Sequence, residues 1–153
     1  MKFERVALLA LTALAGACLV QRDRHHRQLL DVATADRQER AMDRIMANPE
    51  LAEAWKPDDM SATKYVTLMS ANLALGTHSL RHRLGVDSTP QMRFYADLLM
   101  RTKCVRDYWQ RFGSVRESEA VHGERHLGTV NDALTVAYRS VQREQKDSSA
   151  MAS

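Results

Sequence analysis

"STPQMRFYADLLMRTKCVRDYWQRFG", residues 88–113, decides the fold. Ser88 and Gln91 stand at the spacing of a capping box, and Pro90 sits in the first turn, where its missing N–H is tolerated. Met92, Tyr95, Ala96 and Leu99 then share one helical face, which Phe94 and Leu98 widen. Val105, Tyr108, Trp109 and Phe112 follow at i, i+3, i+4 and i+7. Gly113 is expected to close the segment. Whether Thr102-Lys103 divides it into two helices is open from sequence. The period is that of a helix, and no run of alternating β-branched residues occurs elsewhere in the chain.

Toward the carboxyl end, "SVRE" at 114–117 repeats the capping-box spacing and predicts another helix start. Gly123 is expected to interrupt the helix begun there. A last helix over 124–144 would bury Leu127, Val130, Leu134, Ala137, Tyr138 and Val141. Residues 145–153 are polar and small, and read as a disordered tail. Toward the amino end, a helix over 61–84 carries Tyr65, Leu68, Met69, Asn72, Leu73, Gly76, Leu80 and Leu84 near one stripe. Gly85 stands where a left-handed C-terminal cap is wanted. "PELAEAW" at 49–55 predicts one or two turns with Leu51 and Trp55 facing inward, followed by a turn at Lys56–Asp59. Before it, no Gly or Pro occurs between Gly16 and Pro49, so a long first helix should run to Asn48 and stop at the proline.

That first helix begins with the apolar run Val6–Val20, followed by "QRDRHHRQ" at 21–28. Three readings compete. Lys2 and Arg5 ahead of the run, with "AGA" at 15–17, resemble a cleavable secretory signal. "LAGAC" resembles a lipoprotein box preceding Cys18, although Ala15 stands where a larger aliphatic residue is wanted. The third reading is a retained transmembrane anchor. This stretch of 15 residues rises about 22 Å against a hydrocarbon core of roughly 30 Å, so Phe3 and snorkelling Arg5 and Arg22 would have to extend the span. The downstream flank favours retention. Arg22, Arg24 and Arg27 resist export against a membrane potential at about 2.3 kcal/mol per charge per 100 mV. Basic flanks also stay on the cytoplasmic side. On this reading residues 3–20 meet the membrane, Arg22, Arg24 and Arg27 contact lipid head groups, and the rest of the chain is cytoplasmic.

The 153 residues are 44% hydrophobic but only 6% aromatic, so the core must be built from Leu, Val, Ala and Met. Three Pro and six Gly suit long helices with few turns. The net charge of +3 is spread thinly: residues 49–153 carry fourteen Lys/Arg against thirteen Asp/Glu. That is not the dense basic stripe that phosphate neutralisation needs, so nucleic acid is not the expected partner. Cys18 and Cys104 form no CxxC and suggest no disulfide framework.

Catalytic groupings are missing from the sequence. There is no Gly-x-Ser-x-Gly elbow and no glycine-rich phosphate loop. Lys103 and Arg106 flank Cys104, yet a half-buried helical thiol is the expected role. His78 and His82 are spaced i, i+4, and His122 and His126 repeat the spacing, so two such pairs on adjacent helices would supply four metal ligands. Arg81 and Arg83 around His82, and Gly123 within the second pair, argue instead for surface or capping histidines, and no metal or cofactor is expected.

"NPELAEAW", "ANLALGTHSLRHRLG" and "RDYWQRFGSVRESEA" resemble an uncharacterised family of small actinobacterial proteins, a domain of unknown function, over roughly residues 20–140. The resemblance implies a short apolar amino-terminal segment, a basic flank and a helical domain tethered to a membrane, and it implies no catalytic residues.

The sequence thus predicts an all-α protein with a transmembrane segment at 1–20, a basic juxtamembrane stalk helix at 21–48, a four- to five-helix bundle at 49–144 and a tail at 145–153. The expected function is a non-enzymatic, single-pass membrane-anchored module that binds another, unidentified protein at the cytoplasmic face. A nucleic-acid-binding helical regulator and a secreted or lipidated helical protein are the alternatives.

Overall fold

The computed structural model describes residues 2–122 and 125–151, with side chains for 14–121 and 126–151. The described residues are all-α, without strands. Six helices follow one another: α1 (Lys2–Ala47), α2 (Pro49–Trp55), α3 (Ala62–Arg83), α4 (Thr89–Met100), α5 (Lys103–His122) and α6 (Arg125–Met151). The chain divides into two compact units, one up to Arg37 and one from Gln38 onward. The boundary falls within α1, between Arg37 and Gln38.

In the first unit, Leu14, Leu19 and Val20 are 63–71% exposed. Among the described residues no helix is long and apolar enough to cross a membrane. The transmembrane segment expected at 1–20 is therefore not among the elements seen. Its residues 1–13 carry side chains outside the described set.

The second unit is built around α3, α4, α5 and α6, with α2 packed on α3. Its core joins Leu68, Ala71 and Leu75 of α3 to Met92, Ala96 and Met100 of α4, to Val105, Tyr108 and Trp109 of α5, and to Val130, Leu134 and Ala137 of α6. The stripes expected on α5 and α6 are the ones buried. On α4 the face is narrower than expected: Phe94 and Leu98 are 64% and 54% exposed. Met100, two turns beyond Met92, fills the position instead.

Local chemistry explains most of the ends. Asn48 Oδ1 accepts from the backbone N–H of Glu50 (2.9 Å) and of Leu51 (3.2 Å), with Pro49 in the first turn of α2. In α2, Ala52 is the buried residue, while Leu51 and Trp55 are exposed, contrary to expectation. With so short a helix, the small side chain faces the bundle. Ser61 Oγ caps α3 by accepting from Lys64 N at 3.2 Å. At the far end of α3, Gly85 N donates to His82 O (3.0 Å) and Val86 N to Arg81 O (2.9 Å), with Gly85 at φ 75°. This is a Schellman closure, and its left-handed residue favours glycine. At the start of α4, Gln91 Oε1 accepts from both Ser88 N (2.9 Å) and Ser88 Oγ (2.8 Å).

The undecided join at Thr102-Lys103 is a break: α4 ends at Met100 and α5 starts at Lys103. Arg106 of α5 turns back and donates through Nη1 to the carbonyls of Met100 (2.9 Å) and Arg101 (2.6 Å), covering acceptors that α4 leaves open. Gly113 does not end α5, and "SVRE" starts no helix, since α5 runs through both to His122. A Cβ on Gly113 would stand 3.2 Å from the Trp109 ring. The glycine makes room for the indole on its own helix rather than supplying a cap. Gly123 lies outside the described residues, between α5 and α6. Residues 145–151, expected as tail, continue α6. There Ser148 and Ser149 turn their hydroxyls back onto the carbonyls of Glu144 and Gln145, both at 2.8 Å.

Candidate functional site

The turn joining α3 to α4 gathers Arg81, His82 and Asp87. Asp87 is 4% exposed. Its carboxylate accepts from Arg81 Nε at 2.8 Å and Arg81 Nη2 at 2.7 Å, a bidentate pair across the Schellman closure. The guanidinium holds the Asp87 carboxyl below the usual carboxylate range, against the opposing pull of burial. His82 Nδ1 lies 3.1 Å from the Asp87 carbonyl oxygen, which suits a ring N–H donated to it. The His82 ring meets the His126 ring edge-on, with centroids 6.0 Å apart.

One turn earlier on α3, His78 faces a different environment. Its ring lies 4.9 Å from that of Tyr95 on α4. Its Nδ1 is buried without a hydrogen-bond partner. Burial pushes the imidazole below its ordinary value; the Asp87 charge opposes this and the Arg81 charge adds to it. His78 and His82 therefore share a helical face but not a site: the first serves the core, the second the turn. The His122 side chain lies outside the described residues. Among the described residues no group of three or more His, Cys, Asp or Glu is placed to hold a metal ion.

A second polar cluster ties α3, α5 and α6 together. Tyr108 donates its hydroxyl to Asn72 Oδ1 at 2.7 Å, and Arg116 reaches Asn72 Oδ1 (3.3 Å) and Ser79 Oγ (3.4 Å). Asn131, 4% exposed, donates from Nδ2 to the Arg116 carbonyl at 2.7 Å. These contacts fix the helices' relative positions and present no paired nucleophile and base. Asn72 was visible in the sequence as a polar residue on an apolar stripe; nothing in the spacing announces Arg116 or Asn131. On the outside of the bundle, Asp107 accepts from Lys64 and from Lys103, and both lysines hold its carboxyl below the usual range, Lys103 the more strongly. Cys104 is half-buried and packs against the core, as a structural thiol does.

In the first unit, Arg22, Arg24 and Arg27 are all exposed on α1, and Arg27 pairs with Asp23 at 3.0 Å. At about 100° per residue, Arg24 and Arg27 lie on neighbouring faces and Arg22 on another. The three do not form one patch; they ring the helix. A shallow surface depression beside Arg22 is lined by Leu19, Asp23, His25, His26 and Leu29.

A family of unknown function, DUF6082, matches the chain over residues 5–151. The chain belongs to that family. The DUF6082 match takes in both units and runs through every helix of the bundle, including the Arg81–Asp87 turn and the Asn72–Arg116 cluster. No curated protein and no solved structure matches the chain.

Proposed function

We propose that this DUF6082 chain is a non-enzymatic helical interaction module held at a membrane through residues 3–20, with its bundle on the cytoplasmic side. The observation that carries the reading is the exposure of Leu14, Leu19 and Val20 on a helix whose next turns are ringed by exposed Arg22, Arg24 and Arg27. A helix apolar on every side needs an apolar environment on every side. Cations just beyond it favour anionic head groups at about 1 kcal/mol each, and they favour the cytoplasmic leaflet. The bundle's polar clusters act as ties between helices, which supports binding rather than catalysis as its task.

Cell fractionation tests the anchoring. The full chain should sediment with membranes, resist carbonate washing and dissolve only in detergent; recovery in the soluble fraction without detergent contradicts it. The sidedness has its own test. A cysteine introduced at Ser149 should stay unlabelled by an impermeant reagent in intact cells. Labelling there places the bundle outside. Exposure of Cys18 favours a second reading, a lipidated and exported protein, which sequencing of the mature amino terminus would reveal as a chain starting at Cys18.

A further inference from the structure

His78 is a titratable side chain at a junction otherwise made of hydrocarbon. Around it stand Leu75 of α3, Met92, Ala96 and Leu99 of α4, and Val130 and Leu134 of α6. The charged and titratable groups near it are Arg81 and His82 on its own helix, Asp87 in the following turn, and Tyr95 on α4. Among the described residues α6 lines the junction with Val130 and Leu134, and the same helix carries His126, whose ring meets that of His82. In the neutral ring one nitrogen carries the proton, and the buried Nδ1 needs no acceptor. In the cationic ring both nitrogens are donors. Nδ1–H would then be a charged donor with no acceptor within reach, enclosed by the apolar faces of three helices. Asp87 is already engaged through both carboxylate oxygens by Arg81 and does not reach that atom.

We propose that His78 makes the α3–α4–α6 junction acid-sensitive: a second proton on its ring loosens α6 from the bundle while the Arg81–Asp87 turn stays closed. The sign follows from linkage. The neutral ring is favoured in the folded state, so folded stability is complete above the ordinary histidine range and falls as pH drops through the folded value. The Asp59, Asp87 and Asp107 carboxyls, all held below 3.8, keep their charge in this window, so the device acts separately from general acid unfolding. Opening α6 exposes Val130 and Leu134 together with their partners on α4, an apolar face that neutral pH keeps covered.

The test compares the full chain and its His78→Phe variant in neutral detergent by hydrogen exchange of α6 amides, corrected for intrinsic rates, at about pH 7.5 and about pH 5.5. Phenylalanine keeps a ring beside Tyr95 and cannot be protonated. The full chain should lose several-fold protection along Val130–Val141 at the lower pH, and the variant should keep it. Equal loss in both, or none in the full chain, overturns the proposal. An independent readout needs no variant: the His78 ring, followed by NMR, should titrate below 6.5, and a midpoint at or above that value overturns it as well.

Discussion

Along α5, Val105, Tyr108 and Trp109 fall on one face and are buried, while Gln110, Arg111 and Ser114 take the other side and stay exposed. Along α1, residues 14–20 include no polar side chain, and all of them are exposed. The first helix has a stripe and a partner for it. The stretch 14–20 of the second is apolar all round, so no orientation against one neighbouring helix would satisfy it. Bundle stability should depend on the first kind of apolar residue and hardly at all on the second, whose contribution lies in the environment the helix selects.

The largest effect should come from Leu75, fully buried where α3, α4 and α6 meet. Leu75→Ala should lower the unfolding free energy by about 2–5 kcal/mol in urea titration, the range for a buried leucine that leaves a cavity. A smaller loss is expected for Asp87→Asn, which removes the charge that Arg81 grips, and its pH dependence is the sharper observation. The folded carboxyl is depressed below 3.8. Its contribution is therefore complete above that value and is lost as pH falls through the folded one. The stability gap between the full chain and Asp87→Asn should close in strong acid, whereas a gap constant with pH would show that Arg81 gains nothing from the charge. Asn48→Ala removes the cap of α2 and should lower stability by about 1 kcal/mol, with hydrogen exchange rising first at the Glu50 and Leu51 amides. The smallest effect is the most informative about α1: Leu19→Ala should move bundle stability by less than about 0.5 kcal/mol. A loss as large as that of Leu75→Ala would erase the distinction between the two helices.

Sequence revealed the bundle wherever a long stripe met a strong start or stop. Ser88 and Gln91 open α4, Gly85 closes α3, Pro49 ends α1, and the stripes of α5 and α6 are the buried ones. It misled where one residue type serves two purposes. Gly113 resembles a terminator, yet it admits the Trp109 ring. Leu51 and Trp55 are the largest apolar residues of α2, yet a seven-residue helix presents Ala52 to the bundle, because close approach outweighs side-chain area there. Phe94 and Leu98 belong to an apolar set whose width exceeds what the neighbouring helices α3, α5 and α6 cover. The polar tie through Asn72, Tyr108, Arg116 and Asn131 joins residues far apart in the chain, and only tertiary packing brings them together. Of the candidate site residues, the sequence isolated His78 and His82 by spacing, but the shared spacing hid their different surroundings. Core burial decides one ring, and the Asp87 carbonyl decides the other.

The proposed function turns on residues 14–20 serving a membrane and not the bundle. Flotation of the full chain with vesicles containing anionic lipid, beside a Leu14→Ser/Leu19→Ser/Val20→Ser variant, tests it most directly when each sample is also melted thermally. The account predicts that the full chain floats, that the variant stays at the bottom of the gradient, and that both melt alike. A variant that floats as well as the full chain, or that melts far earlier, would contradict it.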